Sequence, residues 1–238
     1  MGQKGAIITG GAKRIGRAIA IELAKEGYDI ALHYNRSKNE ALEVRDLIRK
    51  VGRQSEIFHL DLLNVEKFPS FMREIQAFNR DCLVLINNAS IFEKARFLGT
   101  DFDLFERHIN INFRAPFFMT QQFASIFQTG TIINILDTKV ARTLIEYFAY
   151  TLSKKALTEF TKMAAKELAP EYRVNGVGPG LILPPEGESE EYLKKLSEKI
   201  PLKKRGYPDD VISAVKFLIN HQYITGECLF IDGGEHLK

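Results

Sequence analysis

The chain has 238 residues, of which 45% are hydrophobic and 26% charged, and its 33 basic and 30 acidic side chains leave a formal net charge of +3. A charge this small and dispersed gives no argument for nucleic acid or a membrane surface as the partner, and leaves only a mild bias toward anionic ligands. No apolar run approaches the roughly 20 residues that a membrane helix needs. No linker rich in Pro, Gly or Ser divides the sequence, so we expect a single soluble domain over residues 1–238.

Short apolar runs alternate with amphipathic stretches along the chain. The apolar runs predict strands at Ala6–Thr9, Asp29–His33, Ser55–Leu60, Leu83–Ile86, Gly130–Ile135, Arg173–Val177 and Cys228–Ile231. The amphipathic stretches predict helices at Arg14–Lys25, Glu40–Val51, Val65–Phe78, Phe102–Phe127, Phe148–Leu168 and Asp209–Asn220. This alternation predicts an α/β fold, a doubly wound Rossmann fold with a seven-stranded parallel sheet and helices on both faces. Ligands of such folds bind outside the carboxyl ends of the strands.

The loop after the first predicted strand is rich in glycine and opens a helix. It begins at Thr9 and continues with Gly10, Gly11, Ala12, Lys13, Arg14, Ile15 and Gly16. Glycine lets the backbone approach a pyrophosphate closely, and the start of a helix offers unpaired N–H groups and a positive dipole end. Because this loop lies where a strand, a turn and a helix are independently predicted, it indicates a dinucleotide site.

The end of the second strand favours NADP over NAD. It reads His33, Tyr34, Asn35, Arg36 and Ser37, with no acidic residue to accept hydrogen bonds from a ribose 2′-hydroxyl. Arg36 can pair with a 2′-phosphate, Ser37 can donate to it, and Lys13 or His33 can add positive charge. The alternative is that Arg36 is a solvated loop cation.

Polar or small residues also follow the third and fourth strands. Asp61 and Leu62 follow the third strand, where the carboxylate can accept a hydrogen bond from an adenine amino group. Asn88 and Ala89 follow the fourth strand and form a turn of small residues that a cofactor can pass closely. Each is an ordinary turn when taken alone.

The segment 183–200 has a weak pattern, with two prolines followed by four glutamates and two lysines. We expect a surface excursion with a short helix. A solvated charged helix is the simpler interpretation, and a mobile lid over the strand ends is the functional alternative.

The two cysteines, Cys82 and Cys228, lie in apolar strand-like runs without the spacing of a disulfide framework or a metal site. They indicate a reducing compartment and no bound metal. The first strand begins almost at Met1, which leaves no room for a signal peptide, so we expect the protein in the cytoplasm.

Three residues of the second half of the chain suggest acid–base chemistry. Tyr150 and Lys154 lie one turn apart on a predicted helix, and Asp137 lies thirteen positions before the tyrosine. A nearby ammonium favours the phenolate and lowers the pKa of a tyrosine from its usual value of roughly 10. A carboxyl group in an apolar cleft is more easily protonated and can extend a proton relay. Tyr147 is a competing phenol, but it lies seven positions before Lys154 and not four.

Together these elements resemble the short-chain dehydrogenase/reductase family across nearly the whole chain. The resemblance includes the glycine turn, Asn88 and Ala89, Asn110, the Tyr150 and Lys154 pair, and Pro179 with Gly180 after the sixth strand. It implies that Tyr150 is the catalytic acid, that Lys154 binds the nicotinamide ribose, and that Asn110 supports a relay water. The cofactor site is then expected to comprise Gly10, Lys13, Arg14, Ile15, Gly16, His33, Tyr34, Asn35, Arg36, Ser37, Asp61, Leu62, Asn88, Ala89, Ser90, Tyr150, Lys154, Pro179, Gly180 and Leu181.

Two departures from the general family resemble its pteridine reductase branch, which includes bacterial dihydromonapterin and dihydrofolate reductases. Arg14 replaces a glycine of the turn, and Asp137 replaces the serine beside the tyrosine. The resemblance implies that Phe92 stacks on a pterin and that Ser90, Arg14, Asp137 and Tyr150 also contact the substrate.

The sequence thus predicts an NADPH-dependent reductase of dihydropteridines such as dihydrofolate, dihydromonapterin or dihydrobiopterin, and oxidised pterins are further candidate substrates. The alternatives are a carbonyl reductase, such as a 3-oxoacyl thioester reductase, and a non-catalytic NADP-binding protein. The resemblance also implies a homotetramer assembled through the fourth and fifth predicted helices.

Overall fold

The computed structural model describes residues 4–184 and 190–237. Its centre is one sheet of seven strands in the order β3-β2-β1-β4-β5-β6-β7, and every neighbouring pair is parallel. The strands are β1 (Gly5–Ile8), β2 (Asp29–Tyr34), β3 (Ser55–His59), β4 (Cys82–Asn87), β5 (Gly130–Ile135), β6 (Tyr172–Pro179) and β7 (Cys228–Ile231). The predicted doubly wound Rossmann fold is confirmed.

The helices lie on both faces of this sheet. They are α1 (Arg14–Lys25), α2 (Lys38–Lys50), α3 (Phe68–Phe78), α4 (Phe102–Ile109), α5 (Ala115–Ile126), α6 (Phe148–Glu167), α7 (Glu190–Ser197) and α8 (Pro208–Asn220). Successive residues of a strand face opposite sides, so Ile8 packs with α1, α2 and α8, whereas Ile7 packs with α3, α5 and α6. This burial on both faces explains why the strands are apolar runs and lack alternation.

The long helix predicted over Phe102–Phe127 is interrupted in the structure. A π-helical segment, Asn110–Arg114, separates α4 from α5. Such a segment carries one extra residue per turn and redirects the side chains within it. Asn112 within this segment is fully buried.

The segment 183–200 forms a short helix, α7, in its second half, as expected. The glutamates and the second proline that precede this helix lie at 185–189, outside the described residues. Elsewhere in the described ranges, no helix has both the length and the apolar composition needed to cross a membrane.

The loop between β1 and α1 depends on two tight glycine positions. Gly10 has a φ of +62°, in the left-handed region that glycine adopts without strain. At Gly16, an added Cβ would lie 2.4 Å from both the Gly10 carbonyl oxygen and Asn88 Nδ2. The backbone turn, the start of α1 and the loop after β4 therefore meet too closely for any side chain at Gly16.

Arg14 has a left-handed backbone at the position where the resemblance implies a glycine. Its φ is +53°. Its guanidinium donates to the Pro184 carbonyl oxygen at 2.8 Å, which links the loop after β1 to the segment after β6. A left-handed conformation costs an L-residue roughly 1–2 kcal/mol. The side chain is therefore retained at a backbone position that glycine fits better.

We expect the free energy of unfolding of Arg14→Gly to exceed that of Arg14→Ala by about 1 kcal/mol, because only glycine relieves the left-handed strain. Both variants lack the bond to Pro184, so their difference isolates the backbone term. Equilibrium unfolding in urea measures both values. Equal stability of the two variants would contradict a left-handed residue at this position.

Candidate active site

A cavity of about 750 Å³ opens at the carboxyl ends of the strands and collects most of the predicted site residues. Among residues predicted to bind cofactor, those that line it are Gly10, Lys13, Arg14, Ile15, Gly16, His33, Asn35, Asp61, Leu62, Asn88, Ala89, Ser90, Pro179, Gly180 and Leu181. The predicted catalytic and substrate residues that line it are Phe92, Asp137, Tyr150 and Lys154. The volume and the glycine-lined turn fit an elongated nucleotide cofactor beside a second small molecule.

Four predicted site residues of the described chain do not line this cavity: Tyr34, Arg36, Ser37 and Asn110. The Tyr34 ring is buried against the His59 ring, with 5.4 Å between their centroids, because β2 directs this side chain into the core. Arg36 is exposed and Ser37 directly precedes α2, just beyond the lining residues. Recognition of a 2′-phosphate by these two residues stays a prediction.

His33 is a structural hydrogen-bond bridge, so it adds no charge to a phosphate site. Its Nδ1 accepts from the Gly10 backbone N–H at 3.0 Å, and its Nε2 lies 2.9 Å from the Leu60 carbonyl oxygen. This pairing puts the ring proton on Nε2. Burial lowers the pKa of His33 to about 4, so the ring is neutral at physiological pH. The expectation that His33 contributes positive charge is therefore wrong.

Lys13 lies at the cavity edge and forms an ion pair with Glu40 of α2, with 2.7 Å between Nζ and Oε1. Both side chains are more than a third exposed, so the pair contributes little to stability. An anionic ligand at this edge competes with Glu40 for the ammonium.

The Tyr150 hydroxyl donates to Asp137 Oδ2 at 2.6 Å, which joins the two residues that the sequence placed thirteen positions apart. Asp137 Oδ1 accepts from the Lys139 backbone N–H at 2.7 Å. Burial first, and then the Asp137 carboxylate, raise the pKa of Tyr150 well above its usual 10. The pKa of Tyr150 is therefore raised, opposite to the lowering expected from Lys154, because desolvation and the Asp137 carboxylate both disfavour the phenolate.

Lys154 is buried beneath the tyrosine and donates from Nζ to the Ile135 carbonyl oxygen at 2.8 Å, at the end of β5. Burial lowers the pKa of Lys154 to about 8, and the attraction of Asp137 opposes this shift. The ammonium is thus held at the cavity with one backbone acceptor.

The relay role assigned to Asn110 is not supported by its position. Its side-chain amide donates to Glu106 Oε2 at 3.3 Å on the preceding turn of α4. The residue two positions later, Asn112, is the buried amide of this region. The π-helical segment redirects the side chains here, and nothing in the apolar pattern of the sequence signals such a segment.

Asn112 fastens the loop after β4 to α6. Its amide donates to the Ile91 carbonyl oxygen at 3.0 Å and to Ser153 Oγ at 3.1 Å. Its carbonyl oxygen accepts from the Ile91 N–H at 2.9 Å and the Ser90 hydroxyl at 3.0 Å. Asn112 thereby positions the loop that carries Ser90 and Phe92 relative to the helix that carries Tyr150.

Phe92 lies in the cavity among aromatic rings. It stacks on Tyr147, with 4.3 Å between centroids and an interplanar angle of 12°, and it meets the Tyr150 ring edge-on at 4.7 Å. Its side chain is 41% exposed, which suits a face that a flat heterocycle can cover. Tyr147, which precedes α6, also lines the cavity, although the sequence analysis set it aside for its spacing to Lys154.

Four charged residues that the sequence did not single out also line the cavity: Lys139, Arg142, Lys199 and Glu235. Lys139 Nζ lies 3.4 Å from Asp137 Oδ1 and 5.3 Å from the centre of the Phe92 ring. Arg142 Nη1 lies 3.6 Å from Glu235 Oε1, and burial raises the pKa of Glu235. Glu235 comes from the end of the chain, so no local pattern could assign it to the site.

The protonation of His33 gives a test of this geometry. The folded protein keeps His33 neutral down to about pH 4, whereas the unfolded chain binds a proton below about pH 6.5. Because the unfolded state binds more protons in this window, the free energy of unfolding falls as the pH decreases from 6.5 to 4, by about 3 kcal/mol from this residue.

Urea unfolding at a series of pH values measures the effect, with His33→Gln as the comparison. We expect the variant to lose less stability than the wild type between pH 6.5 and 4, because glutamine does not titrate. Parallel curves for the two proteins would show that His33 is not held neutral.

Comparison with known proteins agrees with this arrangement. A family model described as enoyl-(acyl carrier protein) reductase matches residues 10–236. Pteridine reductase 1 of Leishmania tarentolae is 32% identical, covering 98% of this chain and 96% of the relative. The 3-oxoacyl-[acyl-carrier-protein] reductase FabG of Staphylococcus epidermidis is 29% identical, covering 98% and 99%.

Among solved structures, FolM alternative dihydrofolate reductase 1 of Brucella suis, in complex with NADP, superposes with a TM-score of 0.93 at 31% identity, covering 98% of this chain and 95% of that one. A blue fluorescent protein from a metagenomic library, in complex with NADPH, superposes with a TM-score of 0.92, also at 31% identity, covering 98% of each chain. Together with the sheet order, the cavity and the Tyr150 and Lys154 pair, these matches identify the chain as a member of the short-chain dehydrogenase/reductase family of oxidoreductases.

Proposed function

We propose that the protein reduces dihydropteridines, of the dihydrofolate, dihydromonapterin or dihydrobiopterin type, to their tetrahydro forms with NADPH. The observation that carries this proposal is the hydrogen bond that the Tyr150 hydroxyl donates to the Asp137 carboxylate at 2.6 Å. A carboxylate at this position suits a ring nitrogen that must be protonated, because it keeps a proton on the phenol.

The cofactor is NADPH, and the residues present fit it. The Gly16 position admits no Cβ, and the start of α1 presents backbone N–H groups and a positive dipole end to the cavity. Arg14 and Lys13 add positive charge there. When bound, NADPH supplies the hydride, and the chain supplies position and protons.

The substrate end of the cavity suits a flat heterocycle with polar edges. The half-exposed Phe92 ring offers a stacking face. Ser90, Arg14 and Tyr150 supply hydrogen-bonding groups around that face. An acyl chain needs none of these partners.

Protonation is the task of Tyr150, whose hydroxyl is the buried acid of the cavity. The hydroxyl gives its proton to a ring nitrogen of the pterin, and Asp137 helps to restore it. We assign the binding of the nicotinamide ribose to Lys154 of α6, whose Nζ donates to the Ile135 carbonyl oxygen at the end of β5.

Reduction of a 3-oxoacyl thioester is the second candidate, because the FabG relative matches the chain over a similar length. That reaction develops an alkoxide, which an uncharged donor stabilises and an ionised Asp137 repels. The charge at this one position therefore favours the pterin over the ketone.

The test is an NADPH oxidation assay of the purified protein on dihydrofolate, dihydrobiopterin, dihydromonapterin and an acetoacetyl thioester. We expect turnover of at least one dihydropteridine at a higher kcat/KM than the thioester. Tyr150→Phe should lower kcat by about 10²- to 10⁴-fold, because it removes the acid. Tyr223→Phe, at a fully exposed phenol, is the matched control.

Asp137→Ser separates the two candidate reactions. Serine keeps a hydrogen-bonding group beside Tyr150 but removes the charge, so we expect pterin reduction to fall and thioester reduction to rise. Faster turnover of the thioester than of every pterin by the wild type would contradict the proposal.

We also propose that the protein forms a homotetramer through α4, α5 and α6. These helices expose large apolar side chains, among them Phe102 at 76% and Met163 at 70% of their surface. Exposed apolar surface on this scale is typical of an interaction face.

Light scattering should give a mass near four times the 27.1 kDa of the chain. The double variant Phe102→Glu with Met163→Glu should lower this mass, because it places charge in an apolar interface. Val51→Glu, at the C-cap of α2 and outside these helices, is the control. A wild-type mass near 27.1 kDa would contradict the assembly.

A further inference from the structure

The charged wall of the cavity suggests a route for protons. We propose that Lys139 carries protons from solvent to Asp137, which passes them to Tyr150 after each turnover. This inference rests on the proposed function, because it concerns the same tyrosine. It adds a residue that neither the family resemblance nor the sequence pattern assigned.

The geometry places the three groups in series. Tyr150 donates to Asp137 Oδ2 at 2.6 Å, and Lys139 Nζ lies 3.4 Å from Asp137 Oδ1, the other oxygen of the same carboxylate. The Lys139 side chain is 23% exposed and that of Asp137 is 14% exposed, whereas Tyr150 is buried. Lys139 is therefore the end of the series that meets water.

The proposed reaction requires that Tyr150 is reprotonated after each turnover. After Tyr150 has protonated the substrate, its phenolate faces the Asp137 carboxylate at hydrogen-bond distance in a buried place. Two adjacent anions with little solvent repel each other strongly, which favours rapid return of a proton. Lys154 donates to the Ile135 carbonyl oxygen, whereas the Lys139 ammonium is directed to the carboxylate itself.

The step balances without any further reactant. A proton leaves Lys139 Nζ and joins Asp137 Oδ1, leaving a neutral amine. The carboxyl group turns about its Cβ–Cγ bond and gives this proton to the Tyr150 phenolate. The amine then takes a proton from solvent, so that the net change is one solvent proton delivered to the phenol.

The surroundings hold Lys139 in place for this task. The side chain lies over the Phe92 ring, with Nζ 5.3 Å from the ring centre, an arrangement that attracts a cation. Glu235, whose charge interacts with Lys139, lines the same wall, and Arg142 is 3.6 Å from Glu235. Among the described residues, Asp137 and Glu235 are thus charged neighbours of the ammonium, and Arg142 is an ion-pair partner of Glu235.

Two substitutions separate proton transfer from simple charge. Lys139→Met removes both the charge and the proton, whereas Lys139→Arg keeps the charge on a guanidinium that cannot be deprotonated in a protein. We expect both variants to lower kcat by about tenfold to a hundredfold and to increase the solvent deuterium isotope effect on kcat. Added methylammonium should restore part of kcat in both variants. NADPH affinity, measured by fluorescence, should stay within about twofold of the wild type.

Lys155→Met is the matched control. Lys155 Nζ donates to the Val140 carbonyl oxygen at 2.8 Å, so this variant loosens the same segment without removing a cation from the cavity. We expect no methylammonium rescue and no change in isotope effect for it.

Three outcomes would overturn the inference: wild-type kcat in Lys139→Met, wild-type kcat in Lys139→Arg, or equal rescue of Lys155→Met. The assay uses whichever acceptor the wild type reduces, dihydropteridine or acetoacetyl thioester. Absence of pterin turnover therefore counts against the proposed function, while loss of the Lys139 effect counts against the relay. Turnover of neither acceptor would overturn both.

Discussion

The parallel pairing of all seven strands is the constraint on which the site depends. Parallel register brings every carboxyl end to one edge of the sheet, so the loops after β1, β4, β5 and β6 meet there although they are far apart in sequence. The close approach of Gly16 to the Gly10 carbonyl and to Asn88 fixes one side of this meeting point. The bonds of Asn112 to the loop after β4 and to α6 fix the other side.

The position of the Asp137 carboxylate depends on a contact with the far end of the chain. Thr138, next to Asp137, donates its hydroxyl to the buried carboxylate of Asp232, which follows β7. Asp232 also accepts from the backbone N–H groups of Gly234 and His236 and so shapes the final turn. The turn that holds the segment of Asp137 in place is therefore the same turn that brings Glu235 to the cavity wall.

Local sequence patterns were sufficient to predict the strands, the helices and the glycine turn, because a strand buried on both faces and an amphipathic helix each have a recognisable pattern within a short stretch of residues. They were insufficient where the decisive contact is long-range or where helix geometry changes. The resemblance assigned the relay role to Asn110, whereas the π-helical segment buries Asn112. His33 resembled a phosphate ligand because its two backbone partners, in the loop after β1 and just beyond β3, are invisible to a local reading.

The site is electrostatically costly, and the cost is related to its chemistry. Burial lowers the pKa of Lys154 to about 8 from 10.5, so the unfolded chain binds its proton more tightly between these values. The free energy of unfolding therefore rises with pH across that window, and at neutral pH the buried ammonium costs about 3 kcal/mol.

The pKa of Tyr150 moves in the opposite direction, because both burial and Asp137 disfavour the phenolate. A serine in place of Asp137 would not add this repulsion, so the carboxylate makes the phenol a weaker acid and its conjugate base a stronger one. Tyr150 therefore transfers its proton readily only to an acceptor that becomes strongly basic as the hydride arrives, as a reduced ring nitrogen does. The phenolate then regains a proton rapidly if an ammonium lies on the far side of the Asp137 carboxylate.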